Sequence, residues 1–532
     1  MTCNVFRSKS RAKDGLADPV VMCAHPYDNH LLPVLGRTPL KGPPQQYRLI
    51  PQSGEIPKFS TLTSWESPDP NFWVPNGYTL VNLNLPGYAN SMGQAELMST
   101  KQGEDFYEAI KWVAAQAWCD GAIGLSGVSY LAISQYHAAV AAAKDGDASP
   151  LKCISPWEGV SDLYRDLICR GGVADTTFLE FWWHTEIKET LNNSHEELAA
   201  REGAKPTEIL TAHPLFNEYW ADKTVDFSAI RTPMLVCTSF SDHELHTPGS
   251  DRAFREASSA RKWMYTHRTG KWASYYSEEV KTLLLDFMDH HLKSQSNRFD
   301  SLPKLRLEIR SSKDQIQDVR WEQDWPLPDA EYRPLFLSGE GLVETCPEIA
   351  SEVYYDMQGA TEFGLTFSED TELSGHIKLR LWVEARGDTV AETPTDMVLC
   401  CFLDKRDVHG HSVRFNGTIG SEDDLLSRGY LRVSRRSLDA ARSTDWLPVL
   451  DGRTVQELTA GQIVPVDIPL CPIATFFSAG ESLHVIISPR ELVHAPVFGK
   501  DTSLNRGLHV LHFGDEYDAH LLVPAIPHDR SY

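Results

Sequence analysis

A serine in a tight strand-to-helix turn is the strongest chemical signal in this sequence. The segment Gly124-Leu-Ser-Gly-Val-Ser-Tyr-Leu-Ala132 follows an apolar run and opens a helical pattern. In a nucleophile elbow the serine lies on a strained bend at the carboxyl edge of a sheet, where strand and helix approach closely and small neighbours are needed. Ser129 has Gly127 and Ala132 as such neighbours, whereas Ser126 lies within the strand. Ser129 is therefore the candidate nucleophile; a Ser/Gly-rich turn without chemistry is the alternative.

A serine nucleophile needs a base and an orienting acid. In a parallel α/β sheet these residues lie on loops after later strands, in the chain order Ser, Asp, His. Asp242 follows the apolar run Met234–Phe240, and His267 ends the next run, which begins at Trp263. Each residue alone is explained more simply as a loop cap or an ordinary histidine. Their order and their places at strand ends predict a triad of Ser129, Asp242 and His267.

The segment Asp242-His-Glu-Leu-His246 also contains residue types that bind zinc. A zinc-protease helix needs the spacing H-E-x-x-H, which puts both imidazoles on one face, and here the second histidine comes one residue early. The sequence contains neither a phosphate-binding G-x-x-x-x-G-K-[ST] motif nor a Gly-rich dinucleotide fingerprint. We therefore expect no metal and no cofactor.

The elements that must position these residues change along the chain. Short β-rich runs alternate with helical patterns over residues 1–156 and again over residues 227–300, which predicts a mostly parallel sheet covered by helices, in two parts. Residues 157–226 between them carry aromatic, helix-forming sequence, which we interpret as a helical cap. Over residues 301–532 apolar and polar residues alternate, as in His376–Val383, which predicts a β-sandwich or jelly roll.

The composition limits the partners. The 532 residues include 50 Lys and Arg against 73 Asp and Glu, and the net charge of −23 repels phosphate backbones and anionic lipid headgroups. No run approaches the about 18 to 20 apolar residues that cross a bilayer, and no apolar signal segment follows the basic N-terminus. The 10 scattered cysteines are typical of reduced thiols. We expect a cytoplasmic protein that binds neither nucleic acid nor membrane and that has sandwich surface available for homo-oligomer formation.

At these residues the sequence resembles a known family, the CocE/NonD-type hydrolases, with cocaine esterase, the α-amino-acid ester hydrolases and the X-Pro dipeptidyl-peptidases. The family motif Gly-x-Ser-Tyr-x-Gly is matched by Gly127–Ala132 with one Gly-to-Ala departure. Phe287–Lys293 resembles the end of the family's hydrolase domain, and Gly375–Trp382 resembles its jelly roll. The resemblance covers nearly the whole chain. It implies an α/β-hydrolase domain with a helical cap insertion and a C-terminal β-sandwich.

Carried over residue by residue, the resemblance implies that Ser129 is the nucleophile, Asp242 the acid and His267 the base. It also implies an oxyanion hole in which Tyr27, at the end of the first strand of the core, donates together with the backbone N–H of Tyr130. A phenol with an ordinary pKa of about 10 stays protonated at neutral pH and can donate to a developing oxyanion. The simpler alternative for Tyr27 is a core tyrosine.

Two segments depart from the family pattern. Where relatives commonly have an Asp-x-Arg-Gly loop, the stretch Asn84–Gly93 lacks both the acid and the arginine. Likewise, His267 is followed by Arg268-Thr-Gly-Lys-Trp272, where many relatives have a Pro-Trp-x-His-Gly setting. The first departure weakens the transfer of any particular substrate, and the second gives the expected base different surroundings.

These observations predict a serine hydrolase that cleaves a carboxylic ester or lactone of a small organic molecule through an acyl-enzyme on Ser129. A set of aromatic residues in the cap is equally consistent with a pocket for a bulky apolar moiety and with core packing. These residues are Phe178, Phe181, Trp182 and Trp183. Three alternatives stay open: an X-Pro dipeptidyl-peptidase or amidase, an acyltransferase or cyclase that uses the same acyl-enzyme, and a non-catalytic binding protein.

Overall fold

The structure is a computed structural model, and it describes residues 1–30, 57–175, 177–192, 206–419, 423–493 and 497–527. The strands of the first half are β1 (Thr2–Phe6), β2 (Asp18–His25), β3 (Thr79–Asn84), β4 (Cys119–Val128), β5 (Leu151–Trp157), β6 (Cys169–Arg170), β7 (Val173–Ala174), β8 (Met234–Ser239) and β9 (Lys262–His267). Its helices are α1 (Lys9–Lys13), α2 (Pro70–Trp73), α3 (Thr100–Ala114), α4 (Tyr130–Ala142), α5 (Thr177–Trp182), α6 (Pro206–Ala212), α7 (Glu218–Asp222), α8 (Thr247–Glu256), α9 (Lys271–Tyr275) and α10 (Glu278–Leu292).

The first half is built on a mostly parallel sheet in the order β1-β3-β2-β4-β5-β8-β9, in which only β1 pairs antiparallel. Every residue of β2, β3 and β8 is buried, as expected for parallel strands covered by helices on both faces. The predicted α/β-hydrolase architecture is confirmed. Because the strands are parallel, the loops that follow β2, β4, β5, β8 and β9 meet at one edge of the sheet.

The segment between β5 and β8 holds the predicted helical cap. It contains the short helices α5, α6 and α7 and two π-helical turns, Leu163–Ile168 and Trp183–Ile187. The antiparallel pair β6–β7 is an addition that the sequence did not predict. Three-residue 3₁₀ turns lie at Lys188–Thr190, Phe227–Ala229, Arg298–Asp300, Val390–Glu392 and Val433–Arg435, and a longer one at Ala143–Ala148.

The second half is all β. Its strands are β10 (Leu305–Ser312), β11 (Gln315–Glu322), β12 (Glu331–Ser338), β13 (Gly341–Val343), β14 (Ser351–Tyr355), β15 (Thr361–Thr366), β16 (Thr371–Arg386), β17 (Val398–Arg406), β18 (Ser412–Val413), β19 (Ser427–Arg432), β20 (Val464–Phe477), β21 (Ser482–Ser488), β22 (Leu508–Phe513) and β23 (His520–Ile526). One layer contains β16 with β20, β22 and β23, and the other contains β15, β21, β17, β18 and β19.

The core of the sandwich follows the period-two pattern seen in the sequence. Ile377, Leu379, Leu381 and Val383 of β16 all point inward and are fully buried. Strand β10 pairs in parallel with β9, so the sheet of the first half continues into the second. Over the residues that the structure describes, no helix combines the length and the apolar character needed to cross a membrane.

Candidate active site

Ser129 lies on a strained turn between β4 and α4. Its backbone dihedrals are φ 59° and ψ −116°, a conformation that a non-glycine residue adopts only when its surroundings enforce it. The Ser129 N–H donates to the carbonyl oxygens of Trp157 (3.0 Å) and Glu158 (3.1 Å) at the end of β5. Gly127 has φ 146°, and a Cβ there would approach the Leu131 side chain to 2.6 Å. These contacts hold the Ser129 hydroxyl at the carboxyl edge of the sheet, as the elbow predicts.

The imidazole that contacts Ser129 is that of His246. Ser129 Oγ lies 3.1 Å from His246 Nε2, and His246 Nδ1 is hydrogen-bonded to Asp242 Oδ2. Because a neutral imidazole that donates from Nδ1 carries a lone pair on Nε2, the Ser129 hydroxyl donates to His246. The arrangement is therefore a continuous chain from a carboxylate through an imidazole to a serine hydroxyl, the arrangement that makes a serine nucleophilic.

The loop after β8 explains why Asp242 and His246 meet. The His246 N–H donates to the Asp242 carbonyl oxygen at 3.1 Å, so the two residues are one helical turn apart, just before α8. Side chains four residues apart on such a turn share a face. The segment whose two histidines lack the zinc-binding spacing thus brings an acid and an imidazole together through Asp242 and His246, four residues apart.

The structure does not bring His267 to Ser129. His267 ends β9 as predicted, but its Nε2 lies 3.0 Å from Glu158 Oε1, and its Nδ1 accepts from the Thr269 N–H at 3.2 Å. Both ring nitrogens are thus engaged, and the side chain is buried. The expected place of His267 in the triad is corrected here, because an imidazole with both nitrogens bonded has no lone pair to offer a serine.

One feature of the sequence indicated that a histidine of the family pattern is replaced in this chain. Trp272 matches the tryptophan of the Pro-Trp-x-His-Gly setting that the family resemblance implied, so Ser274 stands at the place of its histidine. A second histidine, His246, was available close to the predicted acid. Its neighbours His243 and Glu244 suggested His246 only as a zinc ligand, so its contact with Ser129 was not predicted.

Burial and one cation control the charges at this site. Lys271, the first residue of α9, has its Nζ 3.2 Å from Asp242 Oδ2. Burial alone would raise the pKa of Asp242, but Lys271 and His246 hold that pKa well below its ordinary value. Burial and then Lys271 lower the pKa of His246, so the imidazole is neutral at pH 7. Burial raises the pKa of the neighbouring Glu66 to about 8.

Tyr27 lies at the site, as expected for an oxyanion donor. Trp182 Nε1 donates to Tyr27 Oη at 3.2 Å, which leaves the phenolic hydrogen free to be donated elsewhere. Burial, with the charges of Glu66 and Glu186, raises the pKa of Tyr27 well above its ordinary value, so the phenol keeps its proton. Tyr130 is the first residue of α4, where helix N–H groups have no intrahelical acceptor.

Two cavities adjoin these groups. A cavity of about 20 Å³ is bordered by Tyr27, Ser129, Tyr130 and His246. A larger one of about 440 Å³ lies under the cap and is mostly apolar; its lining includes Leu163, Ile168, Trp183, Leu191 and Trp220. Met98, Leu179 and Trp182 line both cavities and separate them.

The four aromatic residues of the cap are distributed unequally over these cavities. Phe178 lines the small cavity, Trp183 lines the large one, and Trp182 lines both. Phe181 lines neither cavity and is half-buried. Two of the four predicted pocket residues, Phe178 and Trp182, therefore line the cavity that Ser129 borders.

Two buried groups at this edge of the sheet offer metal-ligand atoms within 4.8 Å of one another: Glu158 with Cys237 and His267, and Glu158 with Asp242 and His246. In both groups the imidazole already has a carboxylate partner. The Lys271 ammonium beside Asp242 opposes the binding of a second cation by like-charge repulsion. The donors are better explained as a hydrogen-bonded network than as a metal site.

Family comparisons cover both halves of the chain. Residues 2–273 match the family model of the X-Pro dipeptidyl-peptidases (S15 family). Residues 297–522 match the model of the X-Pro dipeptidyl-peptidase C-terminal non-catalytic domain. Both matches agree with the α/β core and the β-sandwich described above.

Individual relatives give the same picture. The chain is 24% identical over 551 aligned residues to cocaine esterase from Rhodococcus sp. (strain MB1 Bresler), which covers 87% of this chain and 91% of that protein. It is 34% identical to a CocE/NonD family hydrolase from Staphylococcus aureus with a crystal structure, at a TM-score of 0.87 over 98% of this chain and 91% of that chain. An aminopeptidase from a Thaumarchaeota archaeon shares the fold, with 14% identity and a TM-score of 0.69 over 99% of this chain and 94% of that chain.

Proposed function

This chain belongs to the CocE/NonD hydrolases, within the S15 family of serine hydrolases, and from that premise we propose that it hydrolyses a carboxylic ester through an acyl-enzyme on Ser129. The observation that carries the proposal is the hydrogen-bonded chain Ser129–His246–Asp242 at the carboxyl edge of the sheet. His246 is the base in this proposal, in place of His267.

The proposed reaction has two halves. His246 Nε2 takes the proton from Ser129 Oγ, which attacks the ester carbonyl carbon, and the tetrahedral oxyanion accepts hydrogen bonds from Tyr27 Oη and the Tyr130 N–H. The intermediate collapses, and the imidazolium gives its proton to the leaving alcohol. Water, deprotonated by His246, then attacks the acyl-enzyme; the bond to Ser129 Oγ breaks, the imidazolium returns its proton to that oxygen, and the carboxylic acid is released. Asp242 stabilises the imidazolium in both halves.

The cavities support a substrate with one bulky apolar part. A moiety in the space of about 440 Å³ contacts mainly aliphatic and aromatic side chains, whereas the space of about 20 Å³ beside Ser129 admits a small group in this conformation. Trp182 separates the two spaces and bonds the proposed oxyanion donor Tyr27. An ester that joins a large apolar group to a small one fits this shape.

A dipeptidyl-peptidase is the second candidate. It is favoured by the S15 family match and by the carboxylates of Glu96, Glu208 and Asp222, which line the large cavity and are of the type that holds a free α-amine. A transferase or cyclase reaction remains an alternative because an alcohol can intercept the same acyl-enzyme in place of water.

The first experiment compares substrates in wild type and Ser129→Ala. We expect p-nitrophenyl esters with a bulky apolar group to turn over and an X-Pro arylamide to be poor, with a loss of about 10³-fold or more in Ser129→Ala. Cleavage of the arylamide alone would replace the esterase with the peptidase. Equal activity of the variant would refute the nucleophile. Adding a primary alcohol and measuring transesterification by mass spectrometry tests the transferase alternative.

The cellular context is also a proposal. All 10 cysteines are free thiols and eight of them are buried, which supports a reducing compartment such as the cytoplasm. A small-molecule ester as the partner, the absence of nucleic-acid and membrane partners and self-association stay predictions, which a sedimentation measurement and a binding assay would test.

A further inference from the structure

Lys271 is a buried lysine that reaches both the acid and the base of the site. Its side chain is 4% exposed, and its Nζ lies 3.2 Å from Asp242 Oδ2 and 3.2 Å from His246 Nδ1. Because the Nδ1 hydrogen of His246 is directed at Asp242, the ammonium donates to the carboxylate and not to the ring. One carboxylate oxygen thus serves a cation and an imidazole together.

The charges around His246 leave Asp242 as the counterion of Lys271. Glu66 and Glu158 are the other acids that act on this group. Burial raises the pKa of Glu66 to about 8, so this carboxyl is mainly protonated at pH 7. Glu158 is bonded to its own partners. A buried ammonium needs such a counterion because desolvation is costly for an unpaired charge.

The partners of Glu158 are His267, at 3.0 Å, and the Ser239 hydroxyl, at 2.7 Å. Ser239 ends β8 and His267 ends β9. These two side chains complete the set of polar groups packed around the site. The described residues that carry charge next to the His246 ring are therefore Asp242, Lys271 and Glu158. Only Lys271 is positive.

We propose that Lys271 is a positioning residue for the base: it holds Asp242 and, through its charge, keeps the His246 imidazole unprotonated and able to accept the Ser129 proton at mildly acid pH. The proposal rests on the proposed function for the role of His246. A positive charge about 3 Å from the ring disfavours the imidazolium, whereas the carboxylate favours it. Removing the lysine leaves only the carboxylates next to the ring, so the protonated form of His246 becomes more stable.

The test is the pH dependence of kcat/KM in Lys271→Gln and Lys271→Met. We expect the acid limb of the profile to move upward by about one to three pH units in both variants, the range produced by one nearby charge. Lys271→Gln keeps a hydrogen-bond donor to Asp242 without the charge. The limb should stay at the wild-type pH in Lys271→Arg, which keeps the charge.

Lys405→Met is the matched control, because Lys405 is an equally buried lysine that pairs with Glu481 in the β-sandwich. It should lower the melting temperature without moving the acid limb. If Lys271→Gln and Lys271→Met also lower only the melting temperature and keep the wild-type limb, Lys271 is structural and the inference fails.

A second measurement needs no substrate and no fully active variant. The downfield proton resonance of His246 Nδ1, identified by its loss in His246→Gln, should titrate at higher pH in Lys271→Gln than in wild type. An unchanged titration overturns the inference about Lys271. If wild type hydrolyses no ester or amide but the titration is still shifted in Lys271→Gln, the proposed function is overturned and the inference stands.

Discussion

Two buried acid–histidine pairs lie at the same edge of the sheet, and they differ in what the second ring nitrogen contacts. In the pair Asp242–His246, Nε2 faces Ser129 Oγ at 3.1 Å. In the pair Glu158–His267, Nε2 is bonded to the carboxylate, and Nδ1 accepts from a backbone N–H. A buried carboxylate–imidazole pair is therefore not enough to activate a serine, because one ring nitrogen must also be left to accept from the hydroxyl.

The two pairs also differ in their backbone origin. Asp242 and His246 are one turn apart in a single loop, so their approach depends on local geometry. Glu158 follows β5 and His267 ends β9, so their approach depends on the order of strands in the sheet. His246 of the first pair borders the small cavity beside Ser129. In the second pair, the His267 ring packs against the Trp157 ring, with ring centroids 6.2 Å apart.

The largest expected effect separates the two histidines. His246→Gln should lower kcat/KM by about 10³-fold or more, because it removes the base. His267→Gln should stay within about tenfold of wild type and lose about 1–3 kcal/mol of stability, because it alters a buried hydrogen bond. Steady-state kinetics and thermal unfolding of both variants measure this. The reverse ranking would restore His267 as the base and break the comparison.

The two acids should repeat this contrast with a smaller difference. Asp242→Asn should lower kcat by about 10²- to 10⁴-fold, because it no longer stabilises the imidazolium or the reactive tautomer. Glu158→Gln, the matched change in the other pair, should leave kcat within about tenfold. Equal losses in the two variants would mean that both pairs support catalysis. Unfolding curves check that each variant is folded.

Tyr27→Phe should reduce kcat by about 10²-fold with little change in KM, because the phenol acts on the oxyanion and not on the bound ester. Tyr136→Phe is the control: Tyr136 is another buried phenol, on α4, and does not line the Ser129 cavity. A Tyr27→Phe variant with wild-type kcat would assign the oxyanion to other donors.

The smallest expected effect is a change in the pH dependence of folding stability, caused by Glu66 near the Asp242–His246 pair. The folded-state pKa of Glu66 is about 8, raised by burial from 4.5, so the folded protein binds the proton more tightly than the unfolded chain does. Stability therefore falls as pH rises from about 4.5 to about 8. Glu66→Gln should remove this fall and be more stable than wild type at pH 9, by on the order of a few kcal/mol. Melting temperatures across pH 4–9 measure it; parallel curves for the two proteins would contradict it.

The strained turn that carries Ser129 could be predicted from sequence because its signal is local. Gly127, Ser129 and Ala132 form one strained turn, and small residues are needed wherever a strand passes directly into a helix. Likewise, the alternation through β16 predicted a sandwich strand, and Ile377, Leu379, Leu381 and Val383 are buried as that pattern requires. Asp242 was placed correctly at a strand end for the same kind of local reason.

The histidine that contacts Ser129 could not be selected in this way. His246 and His267 both follow or end apolar strands near the predicted acid, and the sequence pattern treats the two alike. The family resemblance favoured the histidine near the end of β9. Glu158, the hydrogen-bond partner of His267, lies before the cap helices in the chain, whereas His267 lies after them. No spacing rule relates the two residues.

The sequence by itself determined the α/β-hydrolase fold, the sandwich and the turn that exposes Ser129, because hydrophobic periodicity and small residues act over a few positions. Only the tertiary structure decided which histidine serves that serine, where Lys271 places its charge and which aromatic residues of the cap border the cavities. These outcomes depend on the side chains that parallel strands bring together across long stretches of chain. The contact between His246 Nε2 and Ser129 Oγ is therefore a property of the assembled sheet edge.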